Sequence, residues 1–156
     1  KADSLNFSKP VAIGLMISIG IGLHNFGEGL AIGAAVGIGS IAFSTFLIVG
    51  FALHNTTEGI AIAAPMSRGK LMLGKLAIMG MIAGTPAIFG AWIGGFAYSP
   101  FTSVIFLAIG AGAIFQVILV LMKWIQKEND GNLSNLSIVS GFAIGMLVMY
   151  LTSILV

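Results

Sequence analysis

Two short polar phrases, each set in an almost wholly apolar stretch, carry the side chains in this sequence best equipped for chemistry. The first reads His24, Asn25, Phe26, Gly27, Glu28, Gly29; the second, thirty positions on, reads His54, Asn55, Thr56, Thr57, Glu58, Gly59. Leu23 and Leu53 precede the two copies, and Leu30, Ala31, Ile32 and Ile60, Ala61, Ile62 follow them, so the echo extends beyond the polar residues. On a helix, His and Glu four apart share a face, with the Asn three residues before Glu beside them. Each copy therefore aims an imidazole, an amide and a carboxylate into one space, and two facing copies offer six ligands. Imidazole nitrogen with carboxylate and amide oxygen, and no sulfur, suits Zn2+, Fe2+, Mn2+ or Co2+ better than Cu+. Ligand type does not choose among these four. Two glutamates can also bridge a pair of metals, and the same groups take up protons when metal leaves.

The surroundings make these residues costly to keep. Of 156 residues, 58% are hydrophobic and 8% charged, against roughly 45–50% and about 25% in a soluble domain. Five apolar runs, at 10–37, 41–64, 72–97, 101–122 and 134–156, approach or exceed the ~20 residues that a membrane helix needs. They do not alternate apolar with polar as spanning strands do. The expected fold is an all-α integral membrane protein, a single domain of five transmembrane helices. Glu28 and Glu58 are the only acids in those runs, and an ionised carboxylate in hydrocarbon costs several kcal/mol, so each needs a proton, a cavity or a cation. The chain has no cysteine, which excludes disulfides and thiolate metal sites.

A net charge of +2 conceals an asymmetry. With five alternating spans, Lys1, Lys9, Arg68, Lys70, Lys75, Lys123 and Lys127 all fall on one side, which the positive-inside rule makes cytoplasmic. The N-terminus is then inside and the C-terminus outside. The basic residues form no dense cluster, which argues against a nucleic-acid partner and leaves the lipid bilayer as the surroundings.

The elements that position the motifs carry their own punctuation. Pro10 suits the first turn of a helix. Gly29, Gly33 and Gly37 recur at four-residue spacing and invite close approach by another helix, as do Gly141 and Gly145 in the last run. A tight turn around Gly39 and Ser40 links the first two runs, so the motifs reach similar depths, and Pro65 ends the second. In the third run, Pro86 removes a backbone donor and frees a carbonyl near Ile82, for which Thr85 is a capping candidate. Trp92 and Tyr98 fit the outer interface and Trp124 the inner one. Gln116 is the one strongly polar residue of the fourth run and reads as an interhelical hydrogen-bonding group.

The paired His-Asn-x-x-Glu-Gly and His-x-x-x-Glu-Gly helices resemble those of the ZIP (Zrt/Irt-like) divalent-metal transporters, most closely the GufA-like branch. In that family they are the fourth and fifth of eight spans, and the C-terminus lies outside, as charge alone predicts here. The resemblance implies that this chain corresponds to the last five helices of the eight-helix fold, lacking the first three. It also implies that His24, Asn25 and Glu28, with His54, Asn55 and Glu58, are the metal ligands of a binuclear site bridged by the two glutamates. Many GufA-like members carry an acidic ligand just before the sixth-helix proline, where this chain has Thr85. The cargo expected is zinc, or Fe2+, Mn2+, Co2+ or Cd2+, carried across the plasma membrane into the cytoplasm. Gly-rich faces and the resemblance both point to a homodimer.

No enzymatic activity is expected. A membrane metalloenzyme would need a metal-activated water and a Glu as base, yet His-x-x-x-Glu is not the His-Glu-x-x-His pattern and every span His and Glu is assigned as a ligand. A structural subunit, in which His/Glu pairs only hold helices together, is the other alternative; it predicts unfolding when the ligands are removed.

Overall fold

The computed structural model describes residues 8–67, 73–97 and 99–154, and among these there is no strand. Five α-helices follow in order: α1 Lys9–Gly37, α2 Ile41–Ala63, α3 Leu73–Phe96, α4 Pro100–Glu128 and α5 Leu136–Ser153, with a 3-10 turn Ala64–Met66 extending α2. Lys1, Arg68, Lys70 and Tyr98 lie outside the described residues.

The boundaries follow from local chemistry. Pro10 and Pro100 sit in the first turns of α1 and α4, where a missing N–H costs nothing. Gly39 turns the chain with φ 79° between α1 and α2, a conformation that favours glycine. The expected fourth run continues six residues past 122, because nothing breaks the helix until Asn129, Asp130 (φ 50°) and Gly131 (φ 83°) turn the chain. Lys123, Trp124 and Lys127 are therefore helical. Asn135 caps α5, its Oδ1 accepting the Ser137 N–H at 3.1 Å.

Helix α1 is the centre of the bundle and touches α2, α3 and α4, whereas α5 rests chiefly on α2. Contacts rise together along α1 and α3, from Gly14 with Met79 to Gly33 with Ala91, so these helices run parallel; Gly20 with Val117 and Gly27 with Leu107 make α4 antiparallel to α1. The α1–α3 seam is backbone against backbone. A Cβ built on Gly29 or Gly33 would stand 2.1 Å from the carbonyl oxygen of Ala87 or Ala91, and one on Gly90 would stand 2.1 Å from that of Phe26. Small residues here admit a neighbouring helix at a separation that side chains forbid. Gly141 and Gly145, at the same spacing, meet nothing within 4 Å among the described residues of this chain.

The core gathers Val11, Ile17, Ile21, Ile62, Met79 and Val117 between α1, α2, α3 and α4. Buried among them, Ser18 donates to the Gly14 carbonyl at 2.8 Å. Large apolar side chains such as Phe46, Trp92, Phe96, Phe115 and Phe142 point outward, as expected of a surface solvated by lipid. Four helical segments, Lys9–Gly37, Ile41–Met66, Leu73–Phe96 and Val104–Glu128, are long and apolar enough to cross a membrane. At 18 residues α5 is the shortest helix and spans about 27 Å.

Candidate metal centre

The antiparallel pairing of α1 and α2 brings the two motifs together. One ligand atom each from His24, His54 and Glu58 lies within 4.8 Å of the other two. Around a tetrahedral zinc ion with ~2.1 Å bonds the ligand atoms stand about 3.4 Å apart, so modest side-chain rotations close this group onto a cation. The two imidazole centroids are 6.3 Å apart.

Glu28 plays a different part from Glu58. Its Oε1 lies 2.5 Å from His54 Nε2 and 3.3 Å from His24 Nε2, and its Oε2 accepts the Asn55 side-chain amide at 3.4 Å. One nearly buried carboxylate thus gathers three of the other five motif side chains. Glu58, by contrast, keeps its Oε2 buried with no hydrogen-bond partner. The two asparagines are alike in one respect: Asn55 donates to Glu28, Asn25 donates to the Ala83 carbonyl of α3 at 3.1 Å, and the side-chain oxygen of each is buried and unpartnered.

These unpartnered atoms speak to chemistry. Asn25 Oδ1, Asn55 Oδ1 and Glu58 Oε2 are the buried, unsatisfied side-chain atoms among the described residues. All three belong to the motifs, and all three are acceptors. A buried acceptor without a donor costs about 1–3 kcal/mol, and Glu58, which also groups with the two imidazoles, is placed to be satisfied by a cation. Donor set and surroundings therefore fit a divalent metal.

A cavity of about 530 Å³ opens beside the cluster, lined by His24, Glu28, His54 and Glu58 together with Phe51 and Thr57. Phe51 meets the His54 ring edge-on at 5.4 Å and limits its rotation. Thr57 Oγ1 donates to the His54 carbonyl at 2.6 Å, a local bond that competes with the helical ladder beneath the ligand. The far wall is apolar, made by Leu107, Ile114 and Met149. The last two helices carry no ligand motif, yet they close the cavity. Motif spacing does not reveal Phe51 or Met149 as wall residues, although Phe51 lies one helical turn before His54, where ring contacts are expected.

Other polar residues fall away from the cluster. Thr85 is exposed, and the Ala83 carbonyl near the proline break accepts Asn25. Gln116 is exposed beside Gly20 in a groove between α1 and α4. Comparisons with protein-family models, with curated proteins and with solved structures returned no match.

Proposed function

We propose that the paired motifs bind a divalent cation, with zinc as the representative cargo, and pass it through the membrane toward the cytoplasm in the manner of a ZIP-type transporter. The observation that carries this reading is the trio of buried, unpartnered acceptors, all on motif residues, beside two imidazoles and a second carboxylate. The six proposed ligands are His24, Asn25, Glu28, His54, Asn55 and Glu58. Resemblance to the GufA-like branch supports the same assignment and suggests a bridged pair of ions, a homodimer and the plasma membrane. The distribution of Lys and Arg supports an N-terminus in the cytoplasm.

Zinc uptake into proteoliposomes containing the full-length protein, with Glu28→Ala and Glu58→Ala variants beside the parent, tests the proposal. Uptake by the parent that disappears in both variants supports it. Zinc bound but never carried by the parent would remove the transport step.

One observation favours a purely structural role: Glu28 ties α1 to α2 through His54 and Asn55. That alternative predicts that removing the ligands unfolds the protein, with no zinc carried by the folded parent.

A further inference from the structure

Helix α3 contributes no motif residue, yet its proline break is docked against the first motif. Pro86 lies inside α3 and has no N–H to give the carbonyl of Ile82. That carbonyl faces Gly22 of α1, where a Cβ would stand 2.6 Å from the oxygen and 3.3 Å from Pro86 Cγ. The next carbonyl, that of Ala83, accepts the Asn25 side-chain amide at 3.1 Å. Gly22 and Asn25 are three residues apart and so share a face of α1. Two successive carbonyls of the break are thus engaged by one face of α1, the first by a glycine seat and the second by a motif side chain.

The chemistry of Asn25 makes this contact directional. Only the NH2 end of an amide can donate to a carbonyl, so the bond to Ala83 determines which end of Asn25 is nitrogen. Its oxygen is left buried and without a donor. The amide also neighbours the Glu58 carboxylate. Its NH2 group, which holds the Ala83 carbonyl of α3, therefore also stands beside a proposed ligand of α2, so one side chain links the two helices.

Resting on the reading of the cluster as a cation site, we infer that Asn25 is a positioning residue that couples cation binding to the bend of α3 at Pro86. Its nitrogen holds the Ala83 carbonyl and stands beside Glu58, which lines the cavity and faces the cargo. A cation that draws Glu58 changes, through this amide, the pull on α3 at the place where the helix has lost a hydrogen bond and bends most readily. The coupling needs no ligand from α3 itself, and Thr85 is exposed.

The chain has no cysteine, so spin labels can be placed at will. Cysteines replacing Ile78 and Trp92, both exposed on α3 on either side of Pro86, report the bend as a label-to-label distance. Zinc binding is followed by calorimetry and uptake in proteoliposomes. In the parent chain, saturating zinc is expected to shift the distance. Asn25→Asp keeps an oxygen for the cation but removes the donor to Ala83; zinc is still bound, the shift is lost, and the maximal uptake rate falls about tenfold with a smaller change in KM. If Asn25→Asp is unstable, Pro86→Ala restores the helical bond, keeps all six motif side chains, and must also abolish the shift. A parent that binds zinc without any change in α3, or an Asn25→Asp protein that shifts and transports as the parent does, overturns the coupling alone. A parent that binds no zinc overturns the cation-site reading and the coupling with it.

Discussion

Glu28 Oε1 stands 2.5 Å from His54 Nε2, across the interface of α1 and α2. The contact joins the first copy of the repeat to the second, and it makes the two glutamates unequal despite their matching positions. Glu28 also receives His24 and Asn55, whereas Glu58 leaves an oxygen unsatisfied.

That inequality predicts opposite effects on the metal-free protein. Glu28→Ala strands two imidazoles and an amide in a partly buried site and is expected to lower stability by about 1–3 kcal/mol. Glu58→Ala removes a half-buried carboxylate with an unmet acceptor and is expected to be neutral or stabilising. Thermal unfolding in detergent with a chelator present measures both. Equal destabilisation by the two substitutions would contradict the assignment of Glu28 as the hub.

Zinc should reverse the ranking at Glu58. A cation bound at the cluster stabilises the folded parent by about 2.7 kcal/mol at a free concentration a hundred times Kd. The gain is expected to vanish in Glu58→Ala and on adding excess chelator. Imidazoles must be neutral and carboxylates ionised to bind a metal, so binding should release protons and weaken as pH falls. Calorimetry in buffers of different ionisation enthalpy counts those protons; an observed binding heat independent of buffer would show that the ligands are not changing protonation.

The features legible in the sequence were those that recur locally. Apolar runs bounded by Gly39 and Pro65 mark helices, because breaking chemistry acts within a few residues, whereas α4 continues past the end of its apolar run at 122 to Glu128, where Asn129 to Gly131 turn the chain. His24 with Glu28 and His54 with Glu58 share helix faces for the same reason. The partner of a backbone carbonyl is another matter: every residue has one, and the meeting of Asn25 with Ala83, 58 residues apart, depends on the register of two packed helices. The unequal duties of Glu28 and Glu58 arise likewise from the α1–α2 register, which a sequence repeat cannot express. Spacing also does not say which neighbour a small-residue face meets, since Gly141 and Gly145 repeat the interval of Gly29 and Gly33 yet have nothing described in this chain within 4 Å.

This last contrast gives a test of what holds the bundle together. At Gly29 and Gly33 a new Cβ would meet the Ala87 and Ala91 carbonyl oxygens at 2.1 Å. Those obstacles are backbone atoms and cannot rotate away, so Gly33→Ala must push α3 off α1 and is expected to cost about 1–3 kcal/mol, as overpacking does. Gly145→Ala meets nothing within 4 Å and gains helix propensity of up to about 1 kcal/mol. Thermal unfolding should therefore move in opposite directions for two substitutions that are identical in chemistry. The displaced helix α3 carries Ala83 and Pro86, so Gly33→Ala is also expected to reduce zinc uptake in proteoliposomes although it lies outside the six motif residues. A Gly33→Ala protein with the stability and uptake of the parent would show that the close α1–α3 seam supports neither the fold nor the site.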